Sequence, residues 1–227
     1  MLHDIDDAAT HVSGTPEYLL IQPVHTKDMG VLDDEVAEIA RRTGAGFAAS
    51  FFEVEEWNRS LMLWPDKFID RTVTDDSGAR EMLEHVGELI AAMQARFGAL
   101  PVVLGGYSLA GLFSLWAAAK MDGIAAVAAA SPTVWIEGWT DYSLSVRPRS
   151  EAVYLSLGKR EEISRNKHIA AVGDNLRRYY AQLCREMGEE RVCLEWNEGG
   201  HFVDSSPRMA SAFAWCISRL RALKQGK

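Results

Sequence analysis

Apolar residues in this chain come as short dense blocks that alternate with longer stretches of helical period. The runs 18–22, 47–54, 101–107, 124–130, 153–157 and 191–196 are compact and apolar, and glycine, proline or polar residues bound them. Each is short for a helix, and runs of this kind read as strands of a parallel sheet buried on both faces. Between them, 33–42 spaces Val36, Ile39 and Ala40 as a helix would, and Gly44 and Gly46 close it. The segment after 74–77 sets Met82, Val86, Leu89, Ile90, Met93 and Phe97 on one face, with His85 beside it as a structural residue. Residues 109–120 have the apolar density of a buried helix. Ile169, Val172, Leu176, Tyr179, Leu183 and Met187 mark another, and Met209, Phe213, Cys216, Ile217 and Leu220 a closing one. Ser205-Ser206-Pro207 reads as its start, serine caps before a proline in the first turn. Strand and helix alternating in this way predict an α/β protein with a mostly parallel sheet and helices on both faces.

The pattern holds no repeat and no linker, so residues 1–227 are expected to form one domain. Residues 1–16 are polar and irregular and are expected to be an arm or a short edge element. The irregular stretch 133–149 stands where a cap or lid would be inserted. Two further tryptophans, Trp57 and Trp64, lie in the polar, proline-bearing connection 55–77, where they either wall a pocket or cap a satellite core.

Composition narrows the function classes. With 227 residues, 48% of them hydrophobic and 25% charged, the chain is an ordinary globular sequence. A net charge of −8 argues against nucleic acid or an anionic membrane as partner, since either calls for a basic face. Cys184, Cys193 and Cys216 are odd in number and lack metal-ligand spacing, which suits a reducing compartment. The acidic start Met1-Leu2-His3-Asp4 is no secretory signal, and a cytoplasmic location is expected. No metal or cofactor is expected. Gly158-Lys159 lacks the spacing of a phosphate loop, and Gly105-Gly106 lacks the rest of a dinucleotide fingerprint.

The chemistry concentrates in Gly105-Gly106-Tyr107-Ser108-Leu109-Ala110-Gly111. A buried strand, a Gly-x-Ser turn and a buried helix form the context in which a serine hydroxyl stands clear of the backbone as a nucleophile. A helix-capping serine in an ordinary strand-to-helix turn would read the same, so the other residues decide. Glu161 and His201 also follow predicted strands at their carboxyl ends, where open α/β sheets build their sites. A serine needs a base to take its proton during attack, and imidazole is suited to that near neutrality. A carboxylate behind the histidine fixes its tautomer and stabilises the imidazolium. Glu161 is favoured for this part over its neighbour Glu162, with Asp204 a remote third. Of the two backbone donors an oxyanion requires, one is expected at Leu109. The other is expected on the loop after strand 18–22, where Pro23 has no N–H and Val24 or His25 is the candidate.

These segments resemble the serine esterase family of the α/β-hydrolase superfamily, the group near esterase D and the siderophore (enterobactin-type) esterases. The resemblance runs from about Tyr18 to the last helix. It is carried by the serine motif, Leu157-Gly158-Lys159-Arg160-Glu161 and Gly199-Gly200-His201-Phe202. The order Ser…Glu…His is that of α/β-hydrolases. The resemblance implies a three-layer α/β-hydrolase fold, reduced at its amino terminus. It also implies cleavage of a small-molecule carboxylic ester by Ser108, His201 and Glu161, with no cofactor. The expected pocket is shaped by Trp57, Trp64, Trp135 and Trp139, in a monomer or homodimer.

Overall fold

A computed structural model describes residues 10–226. The strands are β1 (His11–Ser13), β2 (Tyr18–His25), β3 (Phe47–Val54), β4 (Val102–Tyr107), β5 (Ile124–Ala130), β6 (Ala152–Gly158) and β7 (Val192–Asn197). They form one sheet in the order β1-β3-β2-β4-β5-β6-β7. Only β1 runs antiparallel, on the edge beside β3. The arm expected at 1–16 thus contributes an edge strand at His11–Ser13, and residues 1–9 lie outside the described part.

The helices are α1 (Leu32–Thr43), α2 (Trp57–Leu61), α3 (Ser77–Phe97), α4 (Leu109–Lys120), α5 (Trp139–Ser145), α6 (Lys167–Ala170), α7 (Val172–Met187) and α8 (Ser205–Gln225). One face of the sheet packs against α3, α4 and α7 through Met82, Leu112 and Leu176. The other face packs against α1 and α8 through Ile39 and Phe213. The result is a three-layer fold whose central strands are covered on both sides, which is why their sequences are near-continuous apolar runs. Among the described residues, no helix is long and apolar enough to cross a membrane.

Three local expectations are corrected. Strand β2 does not stop before Pro23 but runs on to His25, paired with β3 throughout. Proline is tolerated there because β2 leaves β4 after the pair Ile21↔Leu104, so no ladder partner waits for the missing N–H. The helical pattern 169–187 is divided into α6 and α7 at Ala171. The segment 133–149 is not wholly irregular, since it carries α5, and it buries Val134, Ile136 and Trp139 in the core.

Candidate active site

The centre of the site is the turn from β4 into α4. Ser108 sits there with φ 59° and ψ −119°, a conformation that costs a non-glycine residue about 1–3 kcal/mol. Its backbone is held by the bonds Ser108 N–H to Ala130 O (3.0 Å) and Thr133 N–H to Ser108 O (3.2 Å). Gly106 makes the turn possible, because a Cβ there would stand 2.4 Å from the backbone carbon of Ala110. The methyl of Ala110 itself is accommodated, wholly buried at the start of α4.

His201, on the loop after β7, brings Nε2 to 2.9 Å from Ser108 Oγ. Its Nδ1 lies 2.7 Å from Glu161 Oε2. Glu161 follows β6 in a short 3-10 turn (Glu161–Ile163) and is buried. Its other oxygen, Oε1, accepts from Gly158 N–H (2.8 Å) and Ser131 Oγ (2.8 Å). Gly158 has to be a glycine for this, since a Cβ would lie 2.7 Å from Gly199 O and 2.9 Å from Glu161 Oε1. Burial disfavours the charged carboxylate. The hydrogen bond and charge of His201, with the Gly158 and Ser131 donors, more than offset that and hold it below its usual value. Glu162 points elsewhere, paired with Arg177 at 2.8 Å. Asp204 occupies the left-handed residue before α8 (φ 54°).

Four residues around this chain of hydrogen bonds were not singled out in the sequence. Arg208, 3% exposed, donates from Nη1 to Tyr107 Oη (3.1 Å), Ser131 Oγ (3.2 Å) and Glu161 Oε1 (3.3 Å). Its Nη2 donates to Glu198 O and Gly200 O, on the loop that carries His201. Tyr107 Oη donates to His201 O at 2.7 Å. Thr133 Oγ1 lies 3.4 Å from Ser108 Oγ. An arginine in the first turn of a helix, where the dipole disfavours a cation, is the sequence signal that points to Arg208.

A cavity of about 310 Å³ opens beside Ser108 and His201. Val24, His25, Val31, Trp57, Phe202 and Met209 are among its lining residues. Of the expected tryptophans, only Trp57 lines it, with His25 at a ring-centroid distance of 5.2 Å. Trp64 and Trp135 are partly buried against the core and do not border this cavity. Trp64 donates its indole N–H to Glu137 O. Trp139 is a core residue, 2% exposed and edge-on to Tyr179, and so is corrected from a pocket wall to a packing group. Nor do Ser205 and Ser206 cap α8: they are its first two residues and line the cavity instead.

The end of β2 borders the same space. Leu19 donates its N–H to Pro101 O (3.0 Å) on the β4 side. Backbone amides alternate sides along a strand, so the Val24 amide is directed into the β3 ladder and the His25 amide faces the β4 side, where Ser108 stands. Of the two candidates, His25 rather than Val24, the first choice, therefore has its amide on the side of Ser108. Leu109, first residue of α4, has one of the amides that a helix start leaves without an internal partner.

No protein-family model matches the sequence, and no curated protein matches it. Solved structures do resemble it. Siderophore hydrolase EstB from Aspergillus nidulans aligns with TM-score 0.68 and 16% identity over 92% of this chain and 85% of that one. EstA from the same organism gives 0.65 and 18%, over 91% and 84%. An IroE-like serine hydrolase from Shewanella oneidensis gives 0.63 and 10%, over 90% and 71%. Identities this low carry the fold alone: the chain shares the three-layer α/β-hydrolase fold of these structures.

Proposed function

We propose that the protein is a serine hydrolase that cleaves carboxylic esters of small or medium-sized molecules through an acyl-serine intermediate. The observation that carries this reading is the unbroken chain Glu161–His201–Ser108, with contacts of 2.7 Å and 2.9 Å, at the wall of an open cavity. Ser108 Oγ attacks the ester carbonyl while His201 Nε2 takes its proton. The tetrahedral oxyanion is held by the amides of Leu109 and His25. His201 then returns the proton to the leaving alcohol, and water repeats the sequence to release the acid. Glu161 keeps the Nδ1 proton in place and balances the imidazolium; Arg208 and Tyr107 position the acid and the histidine loop. None of these steps calls for a metal or cofactor. The names of the neighbours above, hydrolases all, and of an esterase from Pyrococcus furiosus that shares the fold support a hydrolytic reaction for this chain. A cytoplasmic location fits the three cysteines, none of them disulfide-bonded.

The test is turnover of p-nitrophenyl butyrate beside the matching thioester and anilide. Ester hydrolysis at the highest kcat/KM is expected. Preference for the thioester or anilide would replace the esterase reading with a thioesterase or peptidase. No turnover of any of the three by folded protein would favour a binding protein.

A further inference from the structure

The cavity lining carries polar groups that the proposed reaction does not use. Glu35, in the first turn of α1, lines it while only 3% exposed. Gln22, from β2, lines it at 4% exposure. The side chains of Gln22 and Ser206 reach the Glu35 carboxyl. Even so, Glu35 Oε1 and Gln22 Oε1 are both buried without a hydrogen-bond partner. Two buried oxygens without partners in one cavity lining are costly. Orphaned oxygens in a cavity lining call for a donor that enters the cavity.

We propose that this part of the lining is a subsite for a primary ammonium group on the ester, and that Glu35 and Gln22 select substrates bearing one. The reasoning rests on the ester-hydrolase reading above. An ammonium has three donors and no acceptor, so it satisfies both oxygens and brings no lone pair needing a partner. A hydroxyl or an amide is uncharged and gives the Glu35 carboxylate no counter-charge. Asp28 lies near enough to act on Glu35 through its charge, and it lines the same cavity. Lys27 also lines it, but is mostly exposed and stands over the Phe202 ring (5.4 Å).

The charge state of Glu35 gives the subsite a signature. Burial, with a smaller push from Asp28, raises its carboxyl to about 8 against the hydrogen bonds of Gln22 and Ser206. The groups that face it are Gln22 from β2, Asp28 from the turn before α1 and Ser206 from α8, with His25, Lys27, Tyr107 and His201 elsewhere in the cavity lining. Free protein near neutrality therefore holds Glu35 protonated. An arriving ammonium favours the carboxylate, and the proton leaves to solvent. Selection for the cation should strengthen as pH rises through about 8.

The experiment compares p-nitrophenyl 6-aminohexanoate with p-nitrophenyl heptanoate, which puts a methyl where the ammonium was, and with the 6-hydroxyhexanoate ester. The readout is the ratio of kcat/KM values, in which titration of the shared catalytic groups cancels. The ammonium ester is expected to be preferred over the methyl ester by at least about tenfold. That ratio should rise between about pH 6 and 9 and lose its pH dependence in Glu35→Gln. No preference in wild type, an equal preference for the hydroxyl ester, or a ratio unmoved in Glu35→Gln would overturn the subsite. Calorimetric binding of hexylammonium to Ser108→Ala needs no turnover, so it separates this inference from the esterase reading. Binding that releases a proton supports the subsite even if no ester is cleaved. Absence of binding at millimolar concentration refutes it even if all are cleaved.

Discussion

Replacing His201 by alanine is expected to lower kcat/KM for a simple ester by about 10⁴- to 10⁶-fold. His201 Nε2 lies 2.9 Å from Ser108 Oγ, and among the described residues no second histidine is placed to take over as base. His25, the other histidine of the cavity, faces Trp57 and uses its Nδ1 to accept from Lys27 N–H. The loss should appear in kcat, because the histidine acts on the reacting proton rather than on the bound substrate. His201 is partly exposed on a loop, so the variant should fold, and an unchanged circular dichroism spectrum and melting curve would show it. Steady-state kinetics with p-nitrophenyl butyrate measures the effect. A loss below about tenfold would remove His201 from the mechanism.

Glu161→Gln is expected to cost about 10²- to 10⁴-fold in kcat. Glu161 Oε2 accepts from His201 Nδ1, and a glutamine amide turned that way places a donor where an acceptor is needed. It thereby favours the imidazole tautomer that cannot accept the serine proton. The same change removes the charge opposite Arg208, which is 3% exposed. A buried guanidinium left without its partner is destabilising, so the melting temperature should fall as well, and kinetics belong well below it. Glu162→Gln separates the two neighbouring acids. Glu162 pairs with Arg177 away from the site, and its replacement should leave kcat within about twofold. If Glu162→Gln proved the damaging change, the acid would be misplaced by one residue.

What the sequence makes legible here follows from the range of the interactions. Ser108 is visible because the strand, the turn and the helix that expose it are consecutive, and the steric demand on Gly106 is met within four residues. Glu161 and His201 are visible because each follows a strand end, and strand ends of a parallel sheet share one edge. The choice between Glu161 and Glu162 is not a matter of pattern. It is made by the local turn that brings the Gly158 amide to Glu161 and by the Ser131 hydroxyl, a contact that exists only once β5 and β6 lie side by side. Arg208 is harder still, since its partners come from β4, the Ser131 turn and the His201 loop together.

Trp139 and Glu35 both escape the sequence pattern, for one reason. A tryptophan among polar residues looks available to a ligand, yet its ring closes against Tyr179. Asp33, Asp34 and Glu35 look alike as a solvated first turn, yet the third is buried because α1 turns it toward β2 and α8. Burial of single side chains depends on helix phase against the sheet, and the chain alone leaves that phase open. The Val24 and His25 amides need the same kind of information, namely which side of β2 meets β4.

The central claim is that Ser108 is an activated nucleophile, and covalent labelling tests it most directly. A fluorophosphonate forms a bond from an activated serine oxygen to phosphorus and expels fluoride, so it reports the nucleophile without any choice of substrate. Intact-mass and peptide mass spectrometry of wild type and Ser108→Ala would be compared after equal exposure. A single adduct on the peptide holding Ser108, absent from Ser108→Ala, is the predicted result. Folded wild-type protein that takes up no label, or an adduct that persists in Ser108→Ala, would contradict the account.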